Sequence, residues 1–157
     1  MKELALVFLL GASPIGEIRG AIPVGFLVFK LNIFLVFFVA VLGNCLIVPL
    51  SLVFLRYFSD FLMRRFYFFN RLLNYIFSRT RDHHAHKFER WEHWALLALV
   101  AIPLPLTGAW TGSLAAFLFG IPIKRSLVLI FSGILIAGII VSALTLLGAD
   151  IFAKIQF

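Results

Sequence analysis

Charge is what this chain lacks most. Of its 157 residues only 13% are Asp, Glu, Lys or Arg, about half the share usual in soluble domains, which leaves too little polar surface to face water. The deficit excludes a soluble globular fold. Acids are the scarcer sign, with seven against fourteen Lys and Arg. No acidic pair, no nucleophile beside a base and no ligand cluster stands at a spacing that catalysis needs, so an enzyme is not expected. The single cysteine, Cys45, excludes an intrachain disulfide and a cysteine-rich metal site, and no cofactor is implied.

What the chain has instead is apolar bulk: 62% hydrophobic residues, nineteen of all residues being Phe, and a mean hydropathy of +1.06. Phenylalanine in this abundance reads as lipid-facing material. Two apolar runs, Ile33–Leu55 and Ser126–Gly148, reach the ~20 residues needed to cross a hydrocarbon core of ~30 Å. The expectation is an all-α integral membrane protein forming one membrane domain over residues 1–157. The net charge of +7 does not point to nucleic acid, because eight of the fourteen basic residues fall between Arg56 and Arg90, directly after a span. That clustering marks a cytoplasmic connection facing anionic lipid headgroups.

The chain is organised around Ser13–Gly25, SPIGEIRGAIPVG, which holds Glu17 and Arg19 two residues apart in an apolar setting. Ionisable groups at membrane depth cost at least ~2.5 kcal/mol each and mark a functional site by default. Two prolines and three glycines surround them, a density that no lipid-facing helix tolerates uninterrupted. Met1–Ser13 has the outline of a signal peptide, but the ionisable stretch follows at once, which suits the first arm of a re-entrant hairpin over residues 4–30. Ser13 and Pro14 are expected to open its second arm as N-cap and first helical residue. Pro23 is expected to kink or end that arm near Ala21 and Ile22, with Lys30 snorkelling to the surface. The transmembrane helix 33–55 follows, carrying Asn44 at mid-depth, where it would bond a neighbouring helix or face the substrate.

Residues 56–93 read as a basic connector. Polar and apolar positions alternate at helical spacing over Arg56–Ser78, as in an amphipathic helix lying in the interface. His83, His84 and His86 form a solvated turn, since their spacing fits no zinc motif, and Trp91 and Trp94 mark the membrane surface. A second short apolar arm then runs into Pro103, Pro105, Thr107, Gly108, Trp110 and Thr111. Thr107 is placed to N-cap the returning arm, closing a second re-entrant hairpin over 95–119 before the transmembrane helix 126–148. The two halves, 1–55 and 94–148, therefore form an inverted repeat. Ten basic residues, eight in Arg56–Arg90 plus Lys124 and Arg125, stand against Lys2, Lys30 and Lys154, which orients the connector and Lys124-Arg125 to the cytoplasm of a cell (inner) membrane with both termini outside. Paired breaks in inverted halves point to a transporter's binding site, here Glu17, Arg19, Pro23, Asn44, Pro103, Pro105, Thr107, Gly108, Trp110 and Thr111.

At SPIGEIRGAIP and AIPLPLTGAWTG the chain resembles the small multidrug export family, a branch of the DedA superfamily of membrane proteins. The resemblance implies two facing re-entrant hairpins and a transport role. In DedA relatives it implies movement of a lipid phosphate or proton-coupled transport, with an acid of the first hairpin and arginines of the second. Glu17 matches the acidic position. Pro103–Gly112 has no arginine, and Arg19 is the group available to supply the positive charge. Three functions follow: proton-linked transport of a lipid phosphate or other amphipathic anion, export of lipophilic cations against Glu17 and aromatic walls, or a non-transport membrane scaffold. A Glu17–Arg19 ion pair with a structural role is the alternative to a working site. Two spans make a thin protomer, for which a homo-oligomer is expected.

Overall fold

A computed structural model describes residues 1–65, 86–104 and 107–155. All regular structure among them is helical: α1 (Lys2–Ala12), α2 (Glu17–Pro23) with a π-helical turn (Val24–Val28), α3 (Ile33–Arg65), α4 (His86–Ala101), α5 (Ala109–Leu118) and α6 (Ile123–Ile155). Each half thus runs short helix, break, short helix, long helix.

The long helices are apolar and mostly uncovered. Ile33–Ser59 of α3 and Ile123–Ile151 of α6 are long and apolar enough to cross a membrane, and only 33% of each apolar window is buried by the rest of the chain. A core helix of a soluble protein would be covered; here Phe34, Phe38, Leu42, Leu46, Leu50 and Phe54 stand exposed along one face of α3, at the four-residue spacing of a helical stripe. Such a stripe suits lipid and not water.

Between the helices the contacts are made by small residues, as expected where lipid offers no hydrophobic drive for association. A Cβ on Gly11 would lie 2.6 Å from the Ala40 carbonyl oxygen, and one on Gly43 would run into the Phe8 carbonyl. These pairs let α1 lie directly on α3. Gly25 in turn faces Val7 and Val36, while Gly16 at the opposite end of the returning segment faces Leu10. The segment after the first break therefore runs back along α1. In the second half Val100 of α4 fills the space that glycine leaves at Gly112 and Gly133. Ile22, Leu96, Ile130 and Ile134 are the largest fully buried side chains.

Several boundaries differ from the sequence reading. Helix α3 does not end at Leu55 but continues to Arg65, because no glycine or proline interrupts residues 56–65; residues 66–85, with the rest of the expected amphipathic helix and His83 and His84, lie outside the described residues. Helix α4 begins at His86 rather than Ala95, again for want of a breaker. At Pro23 the regular α-helix of the second arm stops but the chain keeps turning. The chain widens into a π turn over Val24–Val28, which accommodates the N–H that proline lacks. Helix α6 extends past both ends of 126–148, with Lys124 and Arg125 in its first turn. Helix α5 stops at Gly120, whose φ of 68° lets its N–H reach the Phe117 carbonyl at 3.1 Å and the Ile121 N–H reach Ala116 at 3.0 Å.

Gly43→Ala, which sets a methyl against the Phe8 backbone, is expected to destabilise the fold by about 1–3 kcal/mol. Gly148→Ala, with nothing within 4 Å, is expected to be neutral or stabilising by up to ~1 kcal/mol. Unfolding titrations in mixed micelles compare the two.

Candidate functional site

The first break is a tight turn built on Ser13. Its Oγ donates to the Leu10 carbonyl at 2.9 Å and accepts the Gly16 N–H at 3.0 Å. Ser13 thus supports the turn, and α2 itself starts later, at Glu17 behind Gly16. Glu17 adopts φ 44°, a left-handed conformation that costs a non-glycine residue about 1–2 kcal/mol. The departure turns its side chain inward. Glu17 is buried, with 8% of its surface exposed.

The second break delivers the partner. Gly108 precedes the first residue of α5, and its N–H donates to Thr111 Oγ1 at 2.8 Å. Thr111, not Thr107, serves this helix start, using the reach-back geometry of a residue at the third helical position. The Trp110 N–H donates to Glu17 Oε1 at 3.3 Å. A carboxylate from the first half therefore caps a helix of the second half, where orphan amides and the positive end of the helix dipole favour negative charge. Gly108 makes this possible, because a Cβ there would overlap the Glu17 carboxylate. The Trp110 indole N–H adds a bond to the Ala12 carbonyl at 3.3 Å.

Arg19, half-buried, donates from Nη2 to Thr107 Oγ1 at 2.8 Å. Thr107 is thereby freed from the capping role expected of it: its oxygen accepts from Arg19, and its single hydrogen goes to the Ile102 or the Leu104 carbonyl, at 3.0 and 2.9 Å. Among the described residues Glu17 and Arg19 form no direct ion pair; each turns to a different part of the second break. Arg19 keeps its remaining N–H groups without further hydrogen bonds among those residues.

Glu17, Arg19 and Asn44 line one small cavity with Val100, Ile134 and Ala137, with room for about one water. Asn44 is 2% exposed, and its Oδ1 has no partner among the described residues. The structure thus brings together Glu17, Arg19, Asn44, Thr107, Gly108, Trp110 and Thr111. Pro23 lies on the far side of α2 from these bonds, at the entry to the π turn. Pro103 is half-buried in the second break, and Pro105 lies outside the described residues. Sequence reasoning passed over Ala12, which acts through a backbone carbonyl and leaves no side-chain signal, and the apolar wall of Val100, Ile134 and Ala137.

Because the Glu17 carboxylate is the flexible end of a side chain, Gly108→Ala is expected to push it off α5 rather than disrupt the fold. Gly108→Ala and Glu17→Gln each should lower stability by about 1–2 kcal/mol, and the double variant by no more than the larger single cost. A double-mutant cycle in mixed micelles checks this, and additive costs would contradict it.

Comparison with known proteins bears on what such a site belongs to. A family model described as "Putative small multi-drug export protein" matches residues 17–140, which begin at Glu17, directly after the first break, and take in the second. No curated protein and no solved structure matches the chain. The matched stretch covers most of the sequence, so this all-helical membrane protein, with its two apolar helices, belongs to the small multi-drug export protein family.

Proposed function

We propose that the protein is a proton-linked transporter whose two breaks form one site near the middle of the bilayer, and that it moves a lipid phosphate or another amphipathic anion. The observation that carries this reading is the Glu17 carboxylate capping α5 across the two halves, with Arg19 beside it held by a neutral hydroxyl. The two charges serve different tasks. Glu17 is balanced by the α5 N-terminus, while Arg19 keeps donors suited to a phosphate or carboxylate.

The depth of the site supports the same reading. Asn44 stands eleven residues into α3 and Ile134 eleven into α6, about 16 Å along each helix, or half of a ~30 Å hydrocarbon core. Gly138 packs on Phe37 and Val41, while Ile134, one turn earlier, shares the cavity with Asn44 farther along α3, as helices crossing in opposite senses would. On this reading α1–α2 and α4–α5 are re-entrant hairpins of an inverted repeat of the DedA kind. The protein sits in the cell (inner) membrane with Arg56–Arg90 and Lys124-Arg125 on the cytoplasmic side against anionic headgroups, its termini outside, and its thin protomer in a homo-oligomer. A cavity for about one water is too small for any such substrate, so transport requires the tips to part. Protonating Glu17 removes the charge that holds the α5 cap and lets them do so.

The family's description favours a second reading, export of lipophilic cations. Trp110, whose backbone N–H meets Glu17, would supply an aromatic group for a cation held at the carboxylate, and a proton on Glu17 would exchange for the cation. Arg19 opposes this occupant.

In liposomes holding the purified protein, movement of a fluorescent polyprenyl phosphate is expected to respond to a pH gradient and to fall to the level of empty liposomes in Glu17→Gln. A folded protein that moves a lipophilic cation dye instead would favour the second reading. Movement of neither would overturn transport.

A further inference from the structure

Asn44 Oδ1 is a buried acceptor that nothing among the described residues fills. An unpaired carbonyl oxygen at 2% exposure forfeits its hydration with nothing in exchange, and native structures leave few such groups without a reason. Asn44 lines the same small cavity as Glu17, which has space for about one water. A carboxylate can only accept hydrogen bonds and so cannot fill Asn44 Oδ1. A protonated carboxyl has one O–H to donate.

We infer that Asn44 is the acceptor for the protonated form of Glu17, receiving the carboxyl hydrogen directly or through the single cavity water. The inference rests on the proton-linked reading above and names the second position of its moving group. Deprotonated, Glu17 holds the α5 N-terminus and Asn44 Oδ1 is unfilled. Protonated, Glu17 loses its charge-assisted hold on the Trp110 N–H and gains a buried partner on α3. The proton itself thus switches the side chain from a contact between the halves to a contact within the first half, and a proton taken up is not left on an unsatisfied O–H in an apolar site.

The surroundings leave little competition. Arg19 on α2 is the charged group facing Glu17. The cavity wall offers Val100 from α4 and Ile134 and Ala137 from α6, and α5 offers backbone amides. None of these wall residues ionises, and none accepts a hydrogen bond through its side chain. The backbone carbonyl of Ala12 already accepts the Trp110 indole. Asn44 Oδ1 is the side-chain acceptor left on the cavity wall for a carboxyl hydrogen.

Infrared difference spectroscopy of the whole protein in lipid nanodiscs, taken between alkaline and acid pH, reads this directly. Wild type should show a protonated-carboxyl C=O band on acidification that is lost in Glu17→Gln. In Asn44→Leu, of similar volume and unable to accept, the band should persist and move to higher frequency, because a carboxyl that no longer donates has a stiffer C=O. If Asn44→Leu does not fold, Asn44→Ala is read the same way. A Glu17 band that stays in place in the Asn44 variants overturns the role of Asn44 and leaves proton uptake by Glu17 standing. Absence of any Glu17 band across the pH range overturns both.

Discussion

A carboxylate from one broken helix sits on the N-terminus of another, and the meeting of the two halves depends on it. In water such a bond would be weak. In an apolar surround, orphan amides at a helix start and an isolated carboxylate are each costly alone, and each is what the other needs. Both breaks follow from that need. The first must bend the chain so that Glu17 points inward, which Ser13 and a left-handed Glu17 achieve. The second must expose a helix start with no side chain in the way, which Gly108 provides.

The long helices act as walls for this contact. α3 turns its Phe and Leu stripe outward and seats α1 on Gly43, while α6 buries Ile130 and Ile134 and, with Gly112 of α5, leaves Val100 the space beside Gly133. Two thirds of each apolar window on the long helices is uncovered, whereas the short helices are packed: α1 lies along α3, and α2 and α5 each touch both long helices and bury Ile18, Ile22, Ala109 and Ala116. The polar bonds between the tips, Glu17 to Trp110, Arg19 to Thr107 and Trp110 to Ala12, add directional contacts to this packing between the halves. Of the three, only the Glu17–Trp110 bond involves a carboxylate, and it is the one that the proposed proton uptake would weaken.

Much of this was legible in the sequence. The breaks at Ser13–Gly16 and Pro103–Gly108 announced themselves through proline and glycine, and Glu17 and Arg19 through the cost of charge in apolar surroundings. The long helices followed from their length and composition. Less legible was which group each charge would choose. Glu17 and Arg19, two residues apart, suggested each other as partners, yet in a helical turn they project in different directions and each found the second break instead. Thr107 suggested a cap because of its type and place, but Thr111 sits where a reach-back bond forms, and no local rule separated the two without knowing that Arg19 arrives at Thr107. Helix ends were missed at Leu55 and Ala95, where no breaker stands, and at Gly148, which the helix runs through, since apolar runs locate a span and not the polar turns that extend it.

The central claim is that the Glu17–α5 bond joins the two tips and that a proton releases it. The most direct measurement is the distance between spin labels on cysteines replacing the exposed Ile15 and Leu104, in a Cys45→Ala background in lipid nanodiscs, followed from alkaline to acid pH. The account predicts one short distance at alkaline pH, a longer population growing in as the pH falls, and that longer population at every pH in Glu17→Gln. A single distance unchanged by pH and by Glu17→Gln would contradict it.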